Sequence, residues 1–316
     1  MSNTNPIFSF EEAKRVACKA SILIEGLSGR GKSGLALLLA KGLTRDWTKV
    51  FAIDTENKSL NLFTDLPASS GEKFEKFNIG QLTKDIGFKP SNYLAFREAA
   101  IRAGAEAVVE DSISHAWQYQ GGVLDIVTKK QATTKNQYAA WGDDEVVKEK
   151  NELLSLIRDD RVHVISTVRV KEKHEIVDGK PVSLGEQQIQ QADLKYEPDL
   201  VLHMISPGRK TTSMVEHPKA LVIKSRYAIF EVNQEYEFTP ELIEQLRQYL
   251  DEGEDPAILL EKQRQEYTTA IKNYLDEHPN GVPVWKVLKE NAGYKDTKLD
   301  DIPLDVAKAL YIELTK

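Results

Sequence analysis

The segment that most constrains this chain is Gly26-Leu27-Ser28-Gly29-Arg30-Gly31-Lys32-Ser33, which fits the pattern G-x-x-x-x-G-K-[ST]. Ile22-Leu23-Ile24, just before it, reads as a buried strand. Leu35-Ala36-Leu37-Leu38-Leu39-Ala40, just after it, reads as a buried helix. Strand, glycine turn and helix together form a phosphate cradle. The glycines let successive backbone N–H groups curl toward one phosphate, and the helix N-terminus adds partial positive charge. Gly26, Ser28, Gly29, Arg30, Gly31, Lys32 and Ser33 are therefore the candidate nucleotide-binding residues. Lys32 is expected to reach the β- and γ-phosphates and the Ser33 hydroxyl to hold Mg2+. The implied ligand is a nucleoside triphosphate.

Further apolar runs alternate with helical patterns, the signature of a mostly parallel α/β sheet. The runs are 49–53, 107–111, 162–167 and 200–205, with 220–224 and 228–232 as a terminal pair of strands. Helices are expected over 93–103 and 144–157. At Asp251-Glu252-Gly253-Glu254-Asp255-Pro256 the composition turns acidic with Gly and Pro, which reads as a linker. The expected division is a core over 1–250, a linker over 251–256 and a small helical domain over 257–316.

A length of 316 residues, 41% hydrophobic and 29% charged, suits a globular α/β domain with a smaller module. A net charge of −7 excludes a generally basic nucleic-acid coat but leaves room for a local basic groove. No apolar run is long enough to span a bilayer, and the N-terminus lacks the pattern of a signal peptide. The single cysteine, Cys18, suits a reducing compartment. Cytoplasmic placement without membrane contact is the expectation. His115 and His174 lack metal-ligand spacing and read as structural.

Holding Mg2+ also needs a carboxylate at the end of a neighbouring strand, and Asp111 closes such a run. Attack by water needs a base or orienting group, and Glu56 lies just past the strand that follows the glycine-turn helix. Glu110 precedes Asp111, so strand alternation turns it to the other face.

Segments Gly26–Ser33, Ile53–Glu56, Val108–Ser112 and Val164–Lys171 stand in the order and spacing of the RecA-like ATPase core, which the chain resembles over roughly residues 15–250. Segments Ser28–Ser33, Ile53–Glu56, Asp111–Trp117, Ala139–Trp141 and Lys224–Arg226 are similar to those of phage-type RecA-like ATPases linked to recombination and single-strand annealing. The resemblance implies a RecA-like P-loop NTPase core with a mostly parallel central sheet, plus the small C-terminal helical module. It implies ATP and Mg2+ as cofactors, Glu56 as the residue that positions water, and Thr167 or Arg169 as the reporter of nucleotide state. It also implies Lys224 and Arg226 as cations acting on a neighbouring subunit's nucleotide in a ring or filament. If phage-encoded, the protein would work in the host cytoplasm. Two departures stand out. Position 110 is Glu where the pattern expects an apolar residue (the AAA+ order places a glutamate after the aspartate, where Ser112 stands here), and Thr167 stands where RecA has a longer amide.

The RecA-like pattern places channel-facing loops at 118–141 and 172–199. The first offers Lys129, Lys130, Lys135 and Tyr138, a mixture of charge and aromatic surface that suits sequence-independent binding of single-stranded DNA. The second offers Lys171 and Lys173 at its entrance and a hairpin at Asp178-Gly179. Two alternatives remain open at this point. One is a helicase loader or other protein-remodelling ATPase with a recombination or replication partner; the other is a nucleotide-gated binding module with little turnover.

Overall fold

Strand alternation builds the two faces of the sheet. In the computed structural model, which describes residues 13–66, 73–133, 136–177, 180–205, 217–254 and 256–315 (backbone only across 172–186), Ile22 and Ile24 pack on one side and Leu23 on the other. The strands are β1 (Ser21–Gly26), β2 (Val50–Asp54), β3 (Asn78–Gln81), β4 (Ala107–Asp111), β5 (His163–Val177), β6 (Lys180–Gln188), β7 (Leu200–Met204), β8 (Lys219–Ser225) and β9 (Glu235–Glu237). They lie in the order β3-β2-β4-β5-β1-β7-β8-β9, with β6 paired to β5. Pairing is parallel from β3 through β7 and antiparallel at β7–β8, β8–β9 and β5–β6.

The helices are α1 (Lys32–Thr44), α2 (Pro90–Arg102), α3 (Ser114–Gln118), α4 (Val123–Gln131), α5 (Asp144–Ser155), α6 (Pro240–Asp251), α7 (Pro256–Glu277), α8 (Gly281–Asn291) and α9 (Leu304–Leu314). Leu35, Leu37 and Leu39 of α1 join Ile22, Val109 and Ile165 in one core, which Ile243 and Leu246 of α6 complete. Tyr93 of α2, Ile126 of α4 and Leu153 of α5 cover Leu23, Ile53 and Val168 on the opposite face. Each fully buried aliphatic side chain contributes about 1.5–3 kcal/mol to this three-layer packing. Gly42 is the notch that admits α6: a Cβ there would lie 2.2 Å from Ile243 Cγ2. The result is a mixed α/β fold with a mostly parallel central sheet, that of a P-loop NTPase core.

Three expectations change. Residues 228–232 form turns, not a strand. Phe230 N donates to Tyr227 O, Asn233 takes φ 66, and Asn233 N returns to Val222 O, so the apolar Tyr227 and Phe230 point into the core from a turn. The stretch 118–141, expected as a loop, contains α4 and a 3-10 turn at Gln137–Gly142. The stretch 172–199 is largely regular: β5 runs on to Val177 and pairs antiparallel with β6, and a 3-10 turn follows at Ala192–Tyr196. The edge strand β3 is an addition. The turn tip of the β5–β6 hairpin, Asp178-Gly179, lies outside the described residues.

Contacts divide the chain into Lys19–Leu250 and a second unit of Asp251–Lys316 with Met1–Cys18. Within the second unit Ala17 N donates to Glu254 O (3.0 Å) and Glu254 N to Arg15 O (3.0 Å), so the acidic segment pairs with chain from the N-terminal side. Its core is Ile271, Trp285, Ile302, Ala307, Leu310 and Leu314 from α7, α8, α9 and the turn before α9. Among the described residues, no helix is long and apolar enough to cross a membrane.

Candidate active site

The site is built where β1, β2 and β4 end, beside Thr167 and Arg169 in the middle of β5. After β1 the chain turns through Gly29 (φ 77) and Gly31 (φ 89), and Leu35 N closes the first turn of α1 onto Gly31 O at 3.0 Å. Gly31 occupies the N-cap in a left-handed conformation open to glycine, and the helix start carries neither a capping side chain nor an acidic residue in its first turn. Its N-terminal amides therefore present an anion site. Lys32 is 8% exposed, and its ammonium bonds Gly26 O at 2.9 Å and Leu27 O at 3.0 Å, across the same turn.

Asp111 is fully buried at the end of β4. Its Oδ1 accepts a hydrogen bond from the Thr167 hydroxyl on β5, whereas Oδ2 is buried without a hydrogen-bond partner. Burial pushes this carboxyl up to about 6; the Glu56 charge adds to the rise, and the Ser33 and Thr167 hydroxyls and Lys32 oppose it. The Ser33 hydroxyl thus acts on the carboxylate without satisfying Oδ2. An unsatisfied buried carboxylate oxygen beside a serine hydroxyl is a donor set of the hard-oxygen kind that Mg2+ takes. Ser33 and Asp111 are the residues that could hold the cation.

Glu56 comes from the loop after β2. Asp54 shapes that loop: its Oδ1 accepts from Glu56 N (2.7 Å) and its Oδ2 from Leu60 N (3.1 Å). Glu56 Oε1 meets Arg169 of β5, at 2.9 Å from Nε and 2.8 Å from the NH2 nitrogen. Burial alone would lower the Arg169 pKa, but the Glu56 carboxylate overrides it and raises it. Thr167 and Arg169, two apart on one strand face, therefore hold the two carboxylates of the site.

Glu110 turns the other way, as alternation requires. It pairs with the buried Arg97 of α2 and accepts from Ser166 Oγ at 2.8 Å. Arg97 also donates to the carbonyls of Ser155, Leu156 and Arg158, which makes the pair a brace between layers.

A family model for an AAA domain matches residues 18–227, most of the chain and the whole of the site just described. The chain belongs to the AAA-domain family. No curated protein matches it. In this AAA domain the residue after Asp111 is Ser112, and the acidic neighbour of Asp111 across the site is Glu56, from the loop after the adjoining strand β2. The family is one of P-loop ATPases, so nucleotide binding follows from membership.

The other candidates lie apart from this cluster. Lys224 of β8 bonds the carbonyls of Tyr196 (2.5 Å) and Pro198 (2.6 Å); burial first and the Arg226 charge second lower its pKa. Arg226 pairs with Asp199 at 2.9 Å. Lys129 pairs with Asp125 (2.7 Å), and Lys130 with Asp143 (3.0 Å) and Glu145 (3.3 Å). In sequence, Asp125 precedes these lysines and Asp143 and Glu145 follow them. Tyr138 is 85% exposed and Lys171 is exposed. Lys135 lies outside the described residues, as does the Lys173 side chain. Trp117 and Trp141, from separate segments, come together with ring centroids 6.5 Å apart.

Two groups escape sequence reasoning. Glu25, beside the glycine turn, accepts from Gln188 of β6 and lies 2.9 Å from His203 Nδ1 of β7. His115, expected to be structural, is buried against Tyr119 with its Nδ1 2.7 Å from Thr55 Oγ1; burial first and Arg169 second lower its pKa to about 4. The spacing of His115 and Tyr119, one helical turn apart, is the only local signal for that contact.

Proposed function

We propose that the protein is a Mg2+-dependent ATPase that self-assembles and acts on single-stranded DNA in recombination or annealing. The observation that carries the hydrolytic part is the convergence of Lys32, Ser33, Asp111 and Glu56 on one strand-end cluster, with Asp111 Oδ2 left unsatisfied. Lys32 and the α1 amides bind the phosphates, while Ser33 and Asp111 hold the cation. Mg2+ held there would supply positive charge that stabilises the transferring phosphoryl group. Glu56 orients the attacking water and accepts its proton, and the Thr167 hydroxyl keeps Asp111 aimed.

Lys224 and Arg226 act on the nucleotide of a neighbouring copy in a ring or filament. To do so they exchange their present partners, the Tyr196 and Pro198 carbonyls and Asp199, for phosphate oxygens. Support for DNA as the effector comes from the RecA-like segment order and from the exposed Tyr138 near a lysine run. A second reading keeps the ATPase but replaces DNA with a protein partner, and the neutralisation of Lys129 and Lys130 by acids favours it.

The test is ATP hydrolysis with and without single-stranded DNA at several protein concentrations, with Lys32→Ala as the blank. A rate that rises with DNA, and more than linearly with protein, is the expected result. The blank should fall by about 10²–10³-fold. Hydrolysis indifferent to DNA would transfer the assignment to the protein-partner reading.

A further inference from the structure

A water-orienting carboxylate works only if its own position is fixed, because a misplacement of about 1 Å can cost roughly 10²-fold in rate. The backbone of Glu56 is fixed by Asp54, and its side chain meets Arg169. Arg169 is itself anchored from several directions. Its N–H donates to Ser114 Oγ (2.9 Å), its carbonyl accepts from Ile189 N (2.7 Å), and its NH1 nitrogen lies 3.4 Å from the Tyr119 hydroxyl. The guanidinium also lies 6.0 Å from the centroid of the Tyr119 ring.

Tyr119 follows α3 and packs against His115 at 4.1 Å between ring centroids and edge-on to Phe88 at 6.1 Å. His115 in turn contacts Thr55, the residue before Glu56. Two successive residues of the β2 loop are thus tied to the same short helix, Thr55 through His115 and Glu56 through Arg169 and Tyr119.

We propose that Arg169 is a positioning residue for Glu56 and that Tyr119 sets the place of Arg169, so that the end of α3 governs the carboxylate that orients water. The inference rests on the reading of Glu56 as the hydrolytic group. The competing account is an ordinary half-exposed ion pair, with side chains 33% and 26% exposed, which would leave turnover unaffected.

The experiment measures Mg-ATP turnover and nucleotide affinity of the full chain for Arg169→Ala, Arg169→Lys, Tyr119→Phe, Glu56→Gln and the double variant Arg169→Ala/Glu56→Gln. Arg169→Ala should lower kcat about 10–100-fold while nucleotide affinity stays within about twofold. Arg169→Lys, which keeps charge but loses the fork, should recover part of that loss and carries the comparison if the alanine variant fails to fold. Tyr119→Phe should lower kcat by a smaller factor. The double variant should be no slower than Glu56→Gln alone, because the two residues act as one unit. Wild-type turnover in Arg169→Ala, or a loss that multiplies with that of Glu56→Gln, overturns the positioning role and leaves the Glu56 assignment standing. Turnover retained in Glu56→Gln overturns that assignment, and the positioning role with it.

Discussion

The end of β4 and the exposed face of α4 both concentrate charged residues, and they treat them in opposite ways. At β4, Glu110 and Asp111 are buried, and each is bound to a specific partner on another strand or helix. On α4, Lys129 and Lys130 lie at the surface beside acids that neutralise them locally. Charge taken out of water is costly where it is left unmatched, so the partners of Glu110 and of Asp111 Oδ1 define the layers of the fold. Asp111 Oδ2 is the exception that the cation would fill. Charge left in water is matched loosely and can be exchanged at little cost. The site chemistry is drawn from the first kind and the candidate DNA contacts from the second.

The buried side of this contrast should break most sharply at Glu110. Glu110→Gln strands the Arg97 guanidinium in the core and should cost about 3–5 kcal/mol in urea denaturation. The joint replacement Arg97→Met/Glu110→Leu should recover most of it. Recovery would mark the pair as a layer brace; continued loss would mean that its geometry serves the site as well.

An intermediate effect is expected at His163, whose Nδ1 accepts from Ala20 N at 2.9 Å. Burial, with a smaller contribution from Lys19, lowers its pKa to about 3, so the folded state holds it neutral. A depressed folded pKa contributes stability that is fully present above the unfolded value of about 6.5 and is lost as pH falls toward 3, at about 1.4 kcal/mol per pH unit. His115, lowered to about 4, has the same sign, and Asp111, raised to about 6, has the opposite one. Between pH 6 and 4 His163→Gln should therefore flatten the stability profile by about 1.4 kcal/mol per unit. An unchanged slope would show that His163 is protonated in the folded chain.

The exposed side should show the smallest effect. Lys129→Ala, which removes one i,i+4 pair, should change stability by less than about 0.5 kcal/mol. If single-stranded DNA binds, Lys129→Ala should reduce the salt dependence of binding by less than about one ion, since Asp125 already holds the ammonium. A drop of one ion or more would show that DNA displaces Asp125 and would place α4 in the interface.

What was legible in the sequence follows the same division. Ile22-Leu23-Ile24, Val108-Val109 and Leu200-Val201-Leu202 announced buried strands, because a sheet covered on both faces leaves near-continuous apolar runs. The glycine turn and the alternation that separates Glu110 from Asp111 were equally plain. Strand β3, Asn-Ile-Gly-Gln at an edge, has too little apolar content to stand out. The run at 228–232 looked like a strand because turn residues that supply core side chains share its composition. The Arg169–Glu56 contact joins residues 113 apart, and no local pattern encodes such a partner. The acids facing Lys130 were hidden for a related reason, since Asp143 and Glu145 arrive only when the chain folds back.

Strand β5 does not stop at the site it serves. Beyond Arg169 it runs to Val177 and pairs with β6 on both sides of a register shift between Glu172 and His174. At about 3.3 Å per residue this makes a rod on the order of 25 Å, with both carboxylates of the site fastened near one end. A load applied toward the far end would arrive at Thr167 and Arg169 as a common displacement. In mechanical terms, such a load would use the hairpin as a lever arm with the central sheet as its fulcrum.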